Sequence, residues 1–156
     1  MGNGDVSMRF RSGKRLLLVA VVLLTACGGR HSASPAAVAR SWSAALNRAD
    51  DAVAASLFAP SAEVLQNGRL VLQTRRDAVR WNASLPCGGR ITRIIRQGKR
   101  QVLVVFVLTE RPGHRCDAPG VRAAAIFRVE HGKIVSWQQT FPPAEPPAPT
   151  GSGPSI

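Results

Sequence analysis

The second half of the chain contains four segments that are rich in Val, Ile and Phe and are separated by polar stretches. They are Ile91–Arg96, Gln101–Glu110, Val121–Glu130 and Lys133–Phe141. Residues of these types favour β-strands. The first and last separations are short enough for tight turns, which join antiparallel neighbours. The pattern therefore predicts an antiparallel meander of four consecutive strands.

The chain before these segments carries the apolar spacing of helices. Ser34 and Pro35 supply an N-cap residue followed by proline, which is favoured at the first helical position. Apolar residues then recur three or four positions apart: Val38, Trp42, Ala45, Leu46 and Ala49. Such positions share one face of a helix, and we expect that face to be buried.

A second, shorter helix is predicted immediately afterwards. Asp50 or Asp51 can cap its N-terminus, and Pro60 is expected to end it. The apolar residues of this segment are Val53, Leu57 and Phe58. The interpretation therefore places Phe58 on a helix.

A hairpin and a third helix follow. Asn67-Gly68 lies between Val64–Gln66 and Leu70–Leu72, and this dipeptide is a strong signal for a two-residue hairpin turn. Thr74, with Asp77 three residues later, is close to a capping box, and Pro86 marks the end of the helix.

Together these elements predict an α+β fold shaped as a cone, with three N-terminal helices packed in a strongly bent antiparallel sheet. Residues 35–141 form this domain. Residues 142–156 are rich in Pro, Gly and Ser, a composition typical of a disordered tail.

The first 26 residues have the features of a targeting segment. A basic patch that includes Lys14 and Arg15 precedes the uncharged apolar run Leu16–Ala26. This run is shorter than the roughly 20 residues that a membrane-spanning helix needs, but it fits the apolar region of a secretory signal. It leads into Leu24–Cys27, which reads Leu-Thr-Ala-Cys and resembles the bacterial lipobox.

That resemblance implies a lipoprotein whose signal peptide, residues 1–26, is removed and whose Cys27 thiol receives a lipid. Acyl chains such as palmitate would anchor the protein to a membrane, since two chains suffice for stable anchoring. Residues 27–34 would then be a lipidated tether, and the domain would lie outside the cytoplasm. The alternative is a buried N-terminal helix with an incidental cysteine.

Cys87 and Cys116 form an even pair once Cys27 is lipidated. Both lie in loop-like sequence, and an oxidising compartment favours pairing. We therefore predict one disulfide between them. The alternative is a metal or redox site that includes His114, but the spacing of known metal motifs is absent.

Three stretches of the domain carry a shared pattern of core and turn positions. They are Trp42–Asp50, Ala55–Val64 and Phe127–Trp137. They resemble the nuclear transport factor 2-like superfamily, which includes ketosteroid isomerases and SnoaL-like polyketide cyclases. The resemblance covers about residues 36–141 and implies the cone fold. Core and turn positions do not identify a reaction.

The family's catalytic positions depart from its pattern in this chain. Isomerases of this fold use a carboxylate base, with a Tyr and a protonated Asp as oxyanion donors. The resemblance places the Tyr on Trp42, the base on Gln66 and the Asp on Ala125. Each of these three residues lacks the base or the donor that the isomerase reaction needs at its position. We therefore expect no catalytic residue of the isomerase type, and no metal or cofactor.

Strand alternation around Ala125, together with the aromatic residues of the helices and the last strand, predicts which residues line the interior of the cone. They are Trp42, Phe58, Trp81, Ala125, Phe127 and Trp137. A dry pocket without paired carboxylates favours binding of an apolar ligand over its conversion. The alternative is that these aromatic side chains simply fill the core.

The chain is strongly basic, with 21 Lys and Arg against 9 Asp and Glu. Four arginines are candidates for a basic surface on the sheet: Arg93, Arg96, Arg122 and Arg128. An anionic lipid surface or an acidic wall polymer is a possible partner for a membrane-anchored protein. The alternative is a solvated arginine-rich face. Nucleic acid is not expected for an exported protein without exposed aromatic residues.

The segment Gln101–Leu108 is apolar on both faces. One face of this strand would pack on the interior of the cone, and the apolar residues of the other face would need to be covered by another surface. The superfamily commonly dimerises there, which implies a homodimer or another protein contact.

The sequence thus favours a non-enzymatic, lipid-anchored protein of the cell envelope that binds a partner or an apolar small ligand. The alternatives are an isomerase, cyclase or dehydratase with a non-standard site, and a spacer or accessory domain.

Overall fold

A computed structural model describes residues 32–144. The predictions for the signal peptide, for Cys27, for most of the tether and for residues 145–156 of the tail lie outside the described residues. Within 32–144, no helix combines the length and apolar character that crossing a bilayer requires.

Three helices form where capping residues begin them. They are α1 (Pro35–Asn47), α2 (Asp51–Ser56) and α3 (Arg75–Ser84). The Ser34 hydroxyl accepts a hydrogen bond from the Ala37 N–H, and the Asp50 carboxylate accepts one from the Val53 N–H. These bonds satisfy amide groups that have no partner within the helix.

The start of α3 is a complete capping box, as the sequence predicts. The Thr74 hydroxyl oxygen accepts from the Asp77 N–H, and the Asp77 carboxylate accepts from the Thr74 N–H at 2.9 Å. The two residues therefore fix the direction in which the chain enters the helix.

Six strands form one curved sheet. They are β1 (Phe58–Leu65), β2 (Arg69–Leu72), β3 (Gly88–Arg96), β4 (Gln101–Thr109), β5 (Arg122–Glu130) and β6 (Lys133–Thr140). Their order across the sheet is β2-β1-β6-β5-β4-β3. Strands β3 to β6 form the predicted meander, with antiparallel pairing throughout. The sheet as a whole is mixed rather than purely antiparallel, because β1 pairs with β6 in parallel.

The prediction that Phe58 lies on a helix ended by Pro60 is wrong. Helix α2 ends at Ser56, and Phe58 begins β1 opposite Ile134. Pairing with β6 is interrupted between Phe58 and Glu63, where Ser61 has a φ of 59°. Pro60 lies in this irregular stretch, where its missing N–H breaks no ladder hydrogen bond.

The β1–β2 turn is one residue longer than the sequence predicts. Leu65 pairs with Arg69, which leaves a loop of Gln66, Asn67 and Gly68. The Gln66 N–H donates to the Gly68 carbonyl at 2.9 Å, and Asn67 has a φ of 53°. Asparagine tolerates this left-handed conformation better than most residues.

The helices pack in the concave face of the sheet around one main core. Its aromatic members are Phe58, Trp42, Trp81, Phe106, Phe127 and Trp137. A smaller apolar cluster of Leu103, Val105 and Ala124 lies on the other face of the sheet. The core thus fills the space between the helices and the sheet, and the fold class predicted from the sequence is confirmed.

Candidate functional site

A cavity of about 310 Å³ opens at one end of the cone. Its apolar wall comes from α1, from the connection between α3 and β3, and from strands β4 to β6. The apolar residues of this wall are Trp42, Leu46, Leu85, Pro86, Phe106, Leu108, Ala123, Ala124, Ala125 and Trp137. Neutral polar residues add to the lining: Ser43, Gln66, Asn67 and Gln139. This volume is at the lower end of the range of about 300–1,000 Å³ for small-molecule sites.

Trp42 of α1 is held by a buried hydrogen bond. Its indole N–H donates to the Asn82 side-chain oxygen at 2.8 Å. Asn82 is fully buried, and its amide group donates to the Ala78 carbonyl of α3. Because the indole N–H is thus satisfied, Trp42 contributes its ring to the cavity wall and has no polar hydrogen left to offer a ligand.

Two glycines let α1 approach the start of β3 closely. The Asn47 side chain accepts from the Gly89 N–H at 2.7 Å and donates to its carbonyl at 3.1 Å, and the Ser43 hydroxyl also donates to this carbonyl. A Cβ atom on Gly88 would lie 2.5 Å from the Asn47 amide oxygen. A Cβ atom there would displace the Asn47 side chain from its hydrogen bonds to Gly89. The wall formed by Ser43 and these glycines is therefore held by hydrogen bonds from α1 side chains to the β3 backbone.

Arg111 is a buried cation behind the cavity. Its side chain is 0% exposed, and its guanidinium is 2.7 Å from the Asp51 carboxylate. It also donates to the carbonyls of Asn82 and Leu85 at 3.0 and 3.1 Å. These bonds tie the N-terminus of α2 and the C-terminus of α3 to the end of β4. They position Leu85, which lines the cavity.

Arg111 and Asn82 are absent from the residues that the sequence singles out. Arg111 follows an apolar strand and lies in a polar loop of the sequence, where an arginine is ordinarily exposed. Only the three-dimensional packing of three elements around it reveals its burial. The Gly88-Gly89 pair also reads as a loop, although both residues belong to β3.

The predicted disulfide is present, and it forms part of the mouth of the cavity. It joins Cys87, immediately before β3, to Cys116 in the long β4–β5 connection. The Cys116 N–H donates to the Glu110 carboxylate at 2.9 Å. Cys87 and Asp117 both line the cavity. The bond therefore holds one acidic residue at the entrance.

The same three residues approach the geometry of a metal site. Donor atoms of Cys87, Cys116 and Asp117 lie within 4.8 Å of one another. Both sulfur atoms are joined in the disulfide, so neither is a thiolate, the form in which cysteine binds metals. His114 is not a member of this group and pairs through its backbone with Arg111.

The residues predicted to line the cone divide into two groups. Trp42, Ala125 and Trp137 line the cavity. Phe58, Trp81 and Phe127 are buried in the core cluster and are not part of the lining. Trp81 stacks on Trp42 with ring centroids 6.3 Å apart, and thus supports the wall from behind.

The positions that the family resemblance marks as catalytic also meet at this cavity. Trp42, Gln66 and Ala125 all line it. Asp117 is the one charged side chain among the described residues of the lining, and it is exposed. The cavity therefore brings these three positions together, and none of them carries a carboxylate.

The four arginines proposed as a basic surface do not share one face. Arg93 pairs with Val105 and Arg122 with Val107, which places both on the outer face of the sheet, and Arg128 alternates with Arg122 on the same side. Arg96 instead pairs with Val102 of the inner core, because residues three apart on a strand point to opposite faces. Arg122 is half-buried and donates to the Pro143 carbonyl.

A curved sheet around three helices is the fold that this chain shares with solved nuclear transport factor 2-like and ketosteroid isomerase-like proteins. A nuclear transport factor 2-like protein of unknown function from Cytophaga hutchinsonii has a TM-score of 0.58 at 12% identity, over 73% of this chain and 95% of its own.

Two further structures show the same fold. A protein with a ketosteroid isomerase-like fold from Catenulispora acidiphila, in complex with trimethylamine, has a TM-score of 0.54 at 21% identity, over 67% of this chain and 84% of its own. A protein provisionally called a polyketide cyclase from Sinorhizobium meliloti has a TM-score of 0.54 at 20% identity, over 66% and 93%. No protein-family model and no curated protein matches the sequence. At these identities the likeness is one of fold.

Proposed function

We propose that this chain is a lipid-anchored binding protein of the cell envelope that holds a small, largely apolar ligand in the cavity of its cone. The observation that carries the proposal is the cavity of about 310 Å³, walled by Trp42, Phe106 and Trp137. Concave apolar sites with a few polar groups are the usual form of a small-molecule site. The trimethylamine complex of a protein with this fold is consistent with small-ligand binding.

Binding without conversion is favoured by the residues at the family's catalytic positions. Gln66 carries an amide, which cannot act as a base at neutral pH. Ala125 has no donor for an oxyanion, and the Trp42 N–H is already bonded to Asn82. The arrangement supplies apolar contacts and neutral hydrogen bonds, which are the means of recognition.

The membrane location rests on the lipobox-like sequence ending at Cys27. The disulfide supports an oxidising compartment, where such bonds persist. We expect the mature protein, extracted in detergent, to have the mass of a chain that begins at Cys27 and carries acyl groups. A Cys27→Ser variant should lose them. An unprocessed or unlipidated wild-type mass would contradict the membrane anchor but would leave the cavity proposal intact.

Filling the cavity tests the binding function. Ala123 lines the cavity and is half-buried, opposite Phe106. An Ala123→Leu variant should lose ligands that co-purify with the wild-type protein in native mass spectrometry. Ala37→Leu adds the same bulk at an exposed position of α1 and is the matched control. Equal ligand occupancy in both variants, or none in the wild type, would contradict the proposal.

A second candidate function is an isomerase or cyclase with a relocated base, and one observation favours it. Asp117 places a carboxylate at the mouth of the cavity. If Asp117 were that base, an Asp117→Asn variant would lose turnover while retaining ligand binding. A spacer role is the remaining alternative, but an open cavity is not expected of a domain that only separates its neighbours.

A further inference from the structure

The charge of the cavity differs from that of the whole chain. The protein has 21 basic and 9 acidic residues. Among the described residues that line the cavity there is no Lys, Arg or His, and the one charged side chain is the acidic Asp117. From the composition of the chain, a lining of this size would be expected to hold more basic than acidic residues. The cavity thus provides a negative site within a positive protein, which disfavours anions inside it relative to cations.

The aromatic wall favours the same sign of charge. Trp42 and Trp137 have ring centroids 6.1 Å apart, and Phe106 is 6.3 Å from Trp42 in an edge arrangement. All three line the cavity. The face of an aromatic ring carries partial negative charge and attracts cations, most strongly for Trp. Aromatic rings at the wall of a cavity can contact an organic cation whose bulk is apolar. The Trp137 indole N–H, which is buried and has no hydrogen-bond partner among the described residues, is a donor in the same wall and can bond an acceptor on that apolar body.

Asp117 is available to such a ligand. It forms no ion pair with a basic side chain within residues 32–144. One carboxylate oxygen lies 3.3 Å from the Cys87 sulfur, but a disulfide sulfur carries no hydrogen to donate. The disulfide next to it at Cys116 restricts where this carboxylate can lie. The entrance therefore carries a negative charge that has no ion-pair partner within residues 32–144.

We propose that the ligand is an organic cation: an amine or quaternary ammonium group on a compact apolar body. This inference rests on the proposed binding function and names its ligand class. The apolar body contacts the Trp and Ala wall, the cationic group meets the aromatic faces, and Asp117 contributes attraction at the mouth. The carboxamides of Gln66 and Gln139 remain to accept hydrogen bonds from an amine N–H.

Three probes of similar size test whether the charge of a ligand or only its shape determines its affinity for the cavity. Benzyltrimethylammonium is the cation, neopentylbenzene is its neutral carbon analogue, and benzenesulfonate is the anion. Binding is measured by the change in tryptophan fluorescence, since two of the wall residues are Trp. We expect the cation to bind about tenfold more tightly than the neutral analogue, which is the factor that a cation–π contribution of typical size gives. The anion should not compete with the cation.

Three substitutions test whether the cation binds in the cavity and whether Asp117 attracts it. Asp117→Asn should weaken binding of the cation about two- to fivefold, as for an exposed charge pair, and leave the neutral analogue unchanged. Glu130→Gln removes an acid that pairs with Arg100 and does not line the cavity, so it is the matched control. Ala123→Leu should abolish binding of both the cation and the neutral analogue.

The outcomes separate the two proposals. If the neutral analogue or the anion binds as tightly as the cation, the cation inference is overturned while cavity binding stands. If none of the three binds a correctly folded, disulfide-bonded protein, both proposals fail for ligands of this size. If Ala123→Leu leaves cation binding intact, the cation is bound elsewhere and the inference is again overturned.

Discussion

Arg111 shows how one buried charge can determine the shape of a cavity that it does not touch. Its guanidinium is bonded to Asp51, Asn82 and Leu85, so three elements meet on one side chain. Taking such a charge out of water is costly, and these partners offset the cost. Nothing in the local sequence around Arg111 distinguishes it from a surface arginine. Its role follows from tertiary packing alone.

An Arg111→Leu variant should therefore be destabilised by about 3–5 kcal/mol, the usual result of removing one partner of a buried ion pair. The lost hydrogen bonds leave the Leu85 carbonyl without the Arg111 donor and the Asn82 carbonyl with only the Leu85 N–H. Urea denaturation measures the change in free energy of unfolding. Arg80→Leu is the control, since Arg80 pairs with Asp77 at the surface and should cost less than about 1 kcal/mol. Equal losses of unfolding free energy in the two variants would contradict this role of Arg111.

The capping of α3 by Asp77 is expected to make the stability of the protein depend on pH. Its hydrogen bonds with Arg80 and Thr74 lower the pKa of its carboxyl from the ordinary value of 3.8. A carboxyl with a lowered pKa in the folded state contributes stability above its unfolded pKa, and this contribution is lost as the pH falls through the folded one. We expect Asp77→Asn to reduce the acid dependence of stability below about pH 4. An unchanged slope of unfolding free energy against pH, in that range, would count against this role.

At the scale of elements, the helices, the meander and the capping box could be predicted because each depends on neighbouring residues. Strand β1 could not be predicted at full length. Its first residue, Phe58, follows a helical pattern, and its pairing partner Ile134 is far along the chain. Pro60 is an ordinary helix terminator, but here it lies in a strand irregularity. The mouth of the cavity was only partly predictable: the sequence indicates the disulfide but not its place beside Asp117.

The disulfide should stabilise the domain and shape its entrance. It links residues 29 apart, and in the chain-entropy model a loop of this size contributes roughly 3–4 kcal/mol. We expect the paired substitution Cys87→Ser with Cys116→Ser to lower the unfolding free energy by about this amount. Urea denaturation of the oxidised wild type, the reduced wild type and the double variant measures it. The reduced wild type and the double variant should agree. Unchanged stability in both would be inconsistent with the bond's constraining the chain.

For the whole molecule, the outer face of the sheet remains the expected place of self-association. Leu103 and Val105 are buried there within one chain, while Ile95 and Ile126 are only partly buried beside them. We predict a homodimer formed through this face, and Ile126→Arg should dissociate it by placing a charge in an apolar contact. Sedimentation at micromolar concentration measures the oligomeric state of the wild type and of the variant. A single monomeric species for the wild type would contradict the prediction.

The order of strands in the sheet has a consequence for how the protein is made. Strand β6, residues 133–140, lies between β1 and β5 although it is the last strand within residues 32–144. Until it is synthesised, the β1–β2 hairpin and the β3–β5 meander have no shared partner, and each exposes an unpaired edge. Such edges readily pair with other chains. We therefore expect the sheet to be completed only when β6 is added, and a chain interrupted before residue 133 to aggregate more readily than the full chain.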